Sequence, residues 1–391
     1  MTSLRNILTL VALAAPFALG HPGHDIREEA AERREFLERS TGSVRSCKPD
    51  LQSRGLHSAS LERRQQMAHE ARVKRGLTDR PLKKRDFYSV LDIDHKSSSD
   101  FSLGGDERLL FDDNSTNILQ PETTQGPYWV DGELIRSNIT EDQAGVPLYL
   151  DIQLIDVTTC DPVPAVLMDI WHCNSTGVYS GVAARGNGNE NDTSNLNATW
   201  LRGIQPTDVN GVAQFVTTFP GHYTGRATHI HVLAHHSNDT IIRTNQTVIS
   251  GNYTAHASHV GQIFFDQDLI SEVETASPYN TNKQAITRNL EDYLLFEEAE
   301  VMDPMVEYVF LGDDITDGIM AWISIGIDPT ADADITAAAA VYEDYGEMNP
   351  TKPADLGFGT PEEYAIRSSL QANAPPVTTS TSFSASTSTS T

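Results

Sequence analysis

Three cysteines in 391 residues are too few for a disulfide-built scaffold. Cys47, Cys160 and Cys173 also fit no zinc-ligand spacing. An odd count in an oxidising compartment allows one disulfide and one free thiol. If 165–172 is one straight strand after a turn at 160–164, Cys173 lies roughly 30 Å from that turn. A disulfide needs Cα atoms within about 7 Å, so Cys160–Cys173 is disfavoured and Cys47 is left to pair with one of them.

Beyond residue 20 no stretch approaches the ~18 uninterrupted apolar residues of a membrane span. The first twenty read as a secretory signal instead: basic Arg5, an apolar run from Ile7 to Leu19, and the small residues Ala18 and Gly20 before a cleavage site. The chain is therefore expected to be exported, extracellular and soluble. Eight Asn-x-Ser/Thr sequons agree with that route: Asn114, Asn138, Asn174, Asn191, Asn197, Asn238, Asn245 and Asn252. Asn349 is excluded because Pro350 follows it.

Basic charge is scarce in most of the chain. Residues 91–391 carry 11 Lys/Arg against 43 Asp/Glu, whereas residues 21–90 carry 16 against 11. The acidic body repels nucleic acid and anionic membranes, so neither is expected as a partner. The Gly-Asn run at 186–191 is followed by no strand-to-helix pattern and reads as a flexible loop, not a phosphate cradle.

After the signal (1–20), residues 21–90 form an Arg/Glu-rich arm, with helical composition over 27–39 and 60–74. Two readings of it stand: a propeptide, for which Lys74-Arg75 and Lys84-Arg85 are dibasic cleavage pairs, or a helical arm used in homodimer contacts. Residues 91–121 read as a linker. From 122 to 330 the pattern changes to short strands, at 147–157, 166–172, 212–219, 228–234, 260–265, 305–311 and 318–326. Period-2 alternation is clearest at Leu148, Leu150, Ile152 and Leu154. Short strands without βαβ alternation predict a mainly β domain, an antiparallel β-sandwich. From Ala331 the pattern fades into a C-terminal extension (331–391). Its last residues, Thr378 to Thr391, are almost all Ser and Thr, a disordered-stalk composition with no apolar end for a lipid anchor.

The segment Arg226-Ala227-Thr228-His229-Ile230-His231-Val232 carries the most chemistry. In a strand, residues i and i+2 share a face, so His229 and His231 present two imidazoles to one point while Ile230 and Val232 face the core. A buried histidine pair that only satisfies backbone groups is the alternative. Tyr223 lies six residues before His229, and Tyr179 follows the strand ending near His172. Two phenols and two imidazoles form a donor set suited to a hard trivalent ion, because a phenol of pKa ~10 ionises at neutral pH only beside a strong Lewis acid. His235, His236, His256 and His259 are expected to be solvated, and Trp171 to be a core anchor. His21, an N-terminal histidine after signal removal, is set aside because it lies on the charged arm.

An ordered set of motifs now accumulates: Gln125-Gly126-Pro127-Tyr128, Asp169-Ile170-Trp171 leading to Gly177-Val178-Tyr179-Ser180, Phe219-Pro220-Gly221-His222-Tyr223, Arg226 to His231, and Gly261-Gln262-Ile263-Phe264-Phe265. Over roughly Glu122 to Asp328 the chain resembles the intradiol ring-cleavage dioxygenases, in their secreted fungal branch. The resemblance implies one non-haem Fe(III) per chain, held by Tyr179, Tyr223, His229 and His231. Tyr223 would be the ligand that leaves when substrate binds. Arg226 would stabilise negative charge developing on the ring, and Gln262 would hydrogen-bond near substrate and oxygen. The implied reaction opens a catechol-type diol with O2 to a cis,cis-muconate-type diacid. Only Thr224 and Gly225 separate Tyr223 from Arg226, fewer residues than in the familiar soluble enzymes. That shortened loop keeps two competitors in view: a secreted sandwich that binds aromatics or glycans without turnover, and a hydrolase on a transthyretin-like sandwich.

Overall fold

The computed structural model describes residues 44–77, 118–119, 126, 128–184, 186–189, 192–235, 240–249, 253–292, 294–295, 303–341 and 346–350. The signal segment, the helical run expected at 27–39, Lys84-Arg85, most of the 91–121 linker and the Ser/Thr tail lie outside them.

Two five-stranded sheets organise the domain. The first contains Ile118–Leu119 (β1), Pro147–Asp156 (β4), Val212–Thr218 (β7), Glu307–Phe310 (β12) and Ile319–Ile327 (β13), in the order β1-β13-β4-β7 with β12 also on β13. The second runs Ala333–Thr336 (β14), Thr254–Phe264 (β11), His229–His235 (β8), Leu167–Trp171 (β5), Arg202–Pro206 (β6). Two small sheets flank them: Glu133–Leu134 (β3), Thr247–Ile249 (β10) and Ile241–Ile242 (β9), then Val130–Asp131 (β2), Ala339–Val341 (β15) and Gly346–Met348 (β16). The fold is mainly β, as the alternation predicts.

The alternation also selects the core. Leu148, Leu150, Ile152 and Leu154 of β4 and Ile319, Ala321, Ile323, Ile325 and Ile327 of β13 join Met168 and Ile170 of β5 and Ile230, Val232 and Ala234 of β8 in one buried cluster. Each strand thus spends one face on this core and keeps the other for something else.

Three sequence expectations need correction. The first sheet is not purely antiparallel: β13 runs parallel to β4 from Ile319↔Leu148 to Ile327↔Asp156, and β1 is parallel to β13. Parallel neighbours need a long crossover, here most of the second sheet, and local periodicity carries no sign of it. Strand pairing also continues past residue 330, since β14 pairs with β11 and β15 with β2. These strands are short and Ala-rich, so alternation does not mark them. Finally, β6 and the first half of β11 were absent from the predicted strands; Arg, Gly and Gln in Arg202–Pro206 hide its period.

The arm is docked on its own domain. Its described part forms helices Val44–Ser53 and Leu56–Lys74. Met67, Ala68 and Ala71 pack on the outward face of the first sheet, against Tyr149, Met320 and Trp322. A disulfide joins Cys47 to Cys160, with Cα atoms 5.2 Å apart, and leaves Cys173 as a buried free thiol. Arg75, half of one dibasic pair, donates to the Asp317 and Thr316 carbonyls at 2.5 and 2.7 Å. The helix therefore uses its apolar face on this chain, and only its outward side is left for a second copy.

Asp151 is the polar centre of that contact. Its buried carboxylate accepts two bonds from Arg63, at 2.8 and 2.9 Å, one from Gln214 at 2.8 Å, and pairs with Arg64 at 3.4 Å. Burial alone would raise its pKa, but Arg63, Arg64 and Gln214 outweigh that and hold it below its ordinary value. A depressed carboxylate contributes stability above the unfolded pKa of about 3.9 and loses it as pH falls through the folded value. Asp151→Asn is expected to cost about 3–5 kcal/mol at neutral pH by leaving buried Arg64 and part-buried Arg63 without their counter-charge. Chemical denaturation across pH 5 to 2.5 should also show a shallower acid loss in the variant; parallel profiles would contradict the assignment.

Candidate active site

β8 is the middle strand of the second sheet, between β11 and β5. Because Ile230 and Val232 are committed to the core, His229 and His231 emerge on the opposite face, each 2% exposed or less. Their Nε2 atoms are 3.1 Å apart. His229 Nδ1 lies 2.6 Å from the Ala227 carbonyl, which can only accept, so Nδ1 carries the proton and Nε2 presents a lone pair. Across the sheet, Trp171 pairs with His231 in register, and its ring stacks on that imidazole at 4.8 Å and 1°. The core-anchor reading of Trp171 is thus incomplete: one face of it sets the plane of His231.

Both tyrosines reach the same point. Tyr179 Oη is 3.5 Å and Tyr223 Oη 3.3 Å from His229 Nε2. The four side chains predicted from the sequence therefore converge, and none is more than 3% exposed.

Tyr179 is held at both ends of its backbone. The turn before it is tied by Asn174, whose Oδ1 accepts from Thr176 N, Thr176 Oγ1 and Val178 N at 2.9–3.1 Å. Gly177 in that turn has φ 78°, and a Cβ there would sit 2.3 Å from the His222 carbonyl. Asn187 accepts from Tyr179 N at 2.6 Å and donates to Tyr179 O at 2.7 Å, and Asn195 donates to the same carbonyl at 2.7 Å. Arg202 clamps the next carbonyl, that of Ser180, from Nε at 3.0 Å and Nη2 at 2.7 Å, while Nη1 pairs with buried Glu133 at 3.0 Å. Asn187 lies in the Gly-Asn run expected to be a flexible loop; its buried side chain is instead a structural bracket. Among Asn, Gly and Glu repeats no one-dimensional signal singles it out.

Tyr223 follows the tight turn Pro220-Gly221-His222. His222 Nδ1 bonds Glu274 at 2.8 Å and its Nε2 faces the Gln284 carbonyl at 3.0 Å. Arg226 lies beside the cluster, 1% exposed, donating from Nε to Asp292 at 2.9 Å and from Nη2 to Gln262 Oε1 at 2.6 Å. Gln262 pairs with His231 in register across β11 and β8. Asp292, which the sequence reading missed, also accepts from Ala227 N at 2.7 Å.

Electrostatically the site favours neutral groups. Burial raises the pKa of Tyr179 well above the phenol range, aided by Tyr223, and burial likewise raises that of Tyr223. Burial pushes His229 well below the imidazole range, with Arg226 adding to it, and does the same to His231, with His229 adding to it. The imidazoles are thus kept as neutral lone-pair donors, and phenolates require a strong cation among them. The donor atoms of Tyr179, Tyr223 and His231 all lie within 3.5 Å of His229 Nε2, a convergence that fits such an ion. Among the described residues no cluster of three His, Cys, Asp or Glu could hold a metal.

The other histidines divide. His235 and His259 are buried, contrary to the solvated expectation, and His235 Nε2 bonds Asp169 at 3.0 Å. They sit on β8 and β11, where strand pairing buries positions that polar neighbours make look exposed. His256 is exposed beside Asp332, and His236 lies outside the described residues.

Comparison with known proteins follows this geometry. The family described as "Dioxygenase" matches residues 123–293. An intradiol ring-cleavage dioxygenase from Tetranychus urticae is 30% identical over 55% of this chain and 96% of its own, with a TM-score of 0.43. The dioxygenase domain of a carbohydrate-binding fusion protein from Streptomyces sp. SirexAA-E is 21% identical over 54% and 99%, with a TM-score of 0.34. Catechol 1,2-dioxygenase from Pseudomonas arvilla C-1 is 16% identical over 53% and 62%, with a TM-score of 0.32. No curated protein matches the chain. On the matched segment and the 30% identity across nearly all of the Tetranychus urticae enzyme, the chain belongs to the intradiol ring-cleavage dioxygenases.

Proposed function

We propose that this dioxygenase acts outside the cell on catechol-type diols, with one Fe(III) held by Tyr179, Tyr223, His229 and His231. The observation that carries the ligand set is the convergence of two phenol oxygens and the His231 nitrogen within 3.5 Å of His229 Nε2 in a buried site. When bound, Fe(III) would supply the Lewis acid to which the two oxygens of an ionised diol can bind.

The chain's own residues do the rest. Tyr223, on the short turn, would be a phenolate only beside the bound ion and in that form would accept one of the diol's two hydroxyl protons at Oη, the other being released to solvent. Tyr179 stays in place because Asn187 and Asn195 hold its backbone. Arg226, oriented by Gln262 and Asp292, places positive charge beside the ring, where negative charge develops as it reacts with O2. Gln262 offers its amide to the same region. The products are cis,cis-muconate-type diacids, both oxygen atoms of O2 being incorporated. In our reading the two large sheets form a β-sandwich whose second sheet carries the site on its outer face.

The extracellular assignment draws on the signal-like residues 1–20, the Cys47–Cys160 disulfide and the exposed sequons Asn138, Asn197 and Asn245. Asn174 is a poor glycan acceptor, because it is half-buried and its Nδ2, the atom a glycan would occupy, donates to Gln143 Oε1.

Tyr179→Phe is expected to weaken and shift the visible absorption of the iron-loaded protein, leaving only the Tyr223 contribution, and to lower turnover by more than about a hundredfold, beyond the 10–100-fold cost of losing an outer support. An unchanged spectrum and unchanged turnover would exclude Tyr179 as a ligand. Asn187→Ala removes such a support. It should weaken iron affinity by about tenfold with little change in the spectrum of the loaded protein, as read by chelator competition.

A further inference from the structure

The turn that carries Tyr223 and Arg226 is short, and a second segment stitches it down. Asn282 Nδ2 donates to the His222 carbonyl at 2.7 Å. Gly225 N donates to Thr287 Oγ1 at 2.9 Å, and Thr224 N reaches Gln284 Oε1 at 3.4 Å. The strap from Asn282 to Asp292 thus fixes the backbone that a longer loop would otherwise have to organise.

Its last residue reaches the guanidinium itself. Asp292 is 2% exposed and its side chain 1%. Its Oδ2 receives both Arg226 Nε, at 2.9 Å, and Ala227 N, at 2.7 Å. Its Oδ1 receives Leu294 N and Leu295 N, at 2.9 and 3.1 Å, which locks the carboxylate plane. On the other side of the guanidinium, Nη2 meets Gln262 at 2.6 Å. Arginine has rotatable bonds along its whole stem, and a charge-assisted bond to Nε fixes the fork where no single contact at its tip would.

We propose that Asp292 is the positioning residue for Arg226: it sets the guanidinium's orientation beside the reacting ring and compensates its charge in the buried site. The inference rests on the proposed role of Arg226. The hydrogen bonds of Asp292 go to Arg226 and to the backbone at Ala227, Leu294 and Leu295, and only its charge reaches Tyr223, so its loss should leave the four proposed ligands in place and slow the reaction.

The test compares Asp292→Asn, Arg226→Gln and the double variant as full-length, iron-loaded proteins. Asp292→Asn is expected to retain iron and the visible spectrum, to lower kcat per iron by about a hundredfold, as for a misplaced catalytic group, and to change KM far less. In the Arg226→Gln background the same substitution should lower kcat by less than about threefold further, because the group it positions is gone. An equal loss in both backgrounds, or an unchanged kcat in the single variant, would overturn the proposal. If Asp292→Asn does not accumulate in folded form, Asp292→Glu keeps the charge and displaces it by one methylene. A fall in its kcat with an unchanged spectrum supports positioning, and an unchanged kcat refutes it. Absence of any visible band in the wild-type protein would instead defeat the iron assignment, a separate outcome.

Discussion

Strand β8 has to satisfy two faces at once, and most of the site follows from that. Ile230, Val232 and Ala234 are held by a core that also includes β4, β5 and β13, so the register of β8 is fixed by apolar burial. A slip of one residue would send both histidines into that core and put three apolar side chains in the place of the site residues. His229 and His231 are consequently aimed by packing on the far side of the strand, and β5 and β11 on either side bring Trp171 and Gln262 into register with His231.

The rest of the architecture brings the phenols to that fixed pair and holds them in a place that disfavours charge. Burial raises both phenols and depresses both imidazoles, so by themselves the four side chains are most stable in their neutral forms. A metal reverses the balance for the phenols while finding the imidazoles already deprotonated. The supports are charged or amide groups that are themselves buried and paired: Arg202 with Glu133, Arg226 with Asp292, and Asn187 and Asn195 with the Tyr179 backbone. Such supports keep first contacts rigid without exposing the site to water.

The histidine pair was legible because a two-residue period maps directly onto one face of a strand. The tyrosines and Arg226 were legible through the motifs around them, and the apolar face of β4 through its alternation. What escaped the sequence is long-range or hidden by composition. The parallel β4–β13 pair joins segments more than 160 residues apart, and its only local trace is two apolar alternations. Asp292 sits in an acidic stretch beside Glu291, where nothing in the sequence distinguishes the carboxylate that anchors Arg226 from the exposed one next to it. Asn187 is concealed among glycines and asparagines. The arm's Arg-rich helix looked equally like a propeptide or a dimer contact, and only tertiary contacts reveal that Asp151 and the Cys160 turn receive it.

The central claim is that Tyr179, Tyr223, His229 and His231 together bind one ferric ion that substrate engages directly. Titration of the purified, iron-loaded protein with catechol under anaerobic conditions, followed by visible absorption, tests it most directly. The account predicts a phenolate-to-iron band in the resting protein that shifts to longer wavelength and saturates at one catechol per iron. A protein that binds one iron yet shows no such band, or a band that catechol leaves unchanged, would contradict it.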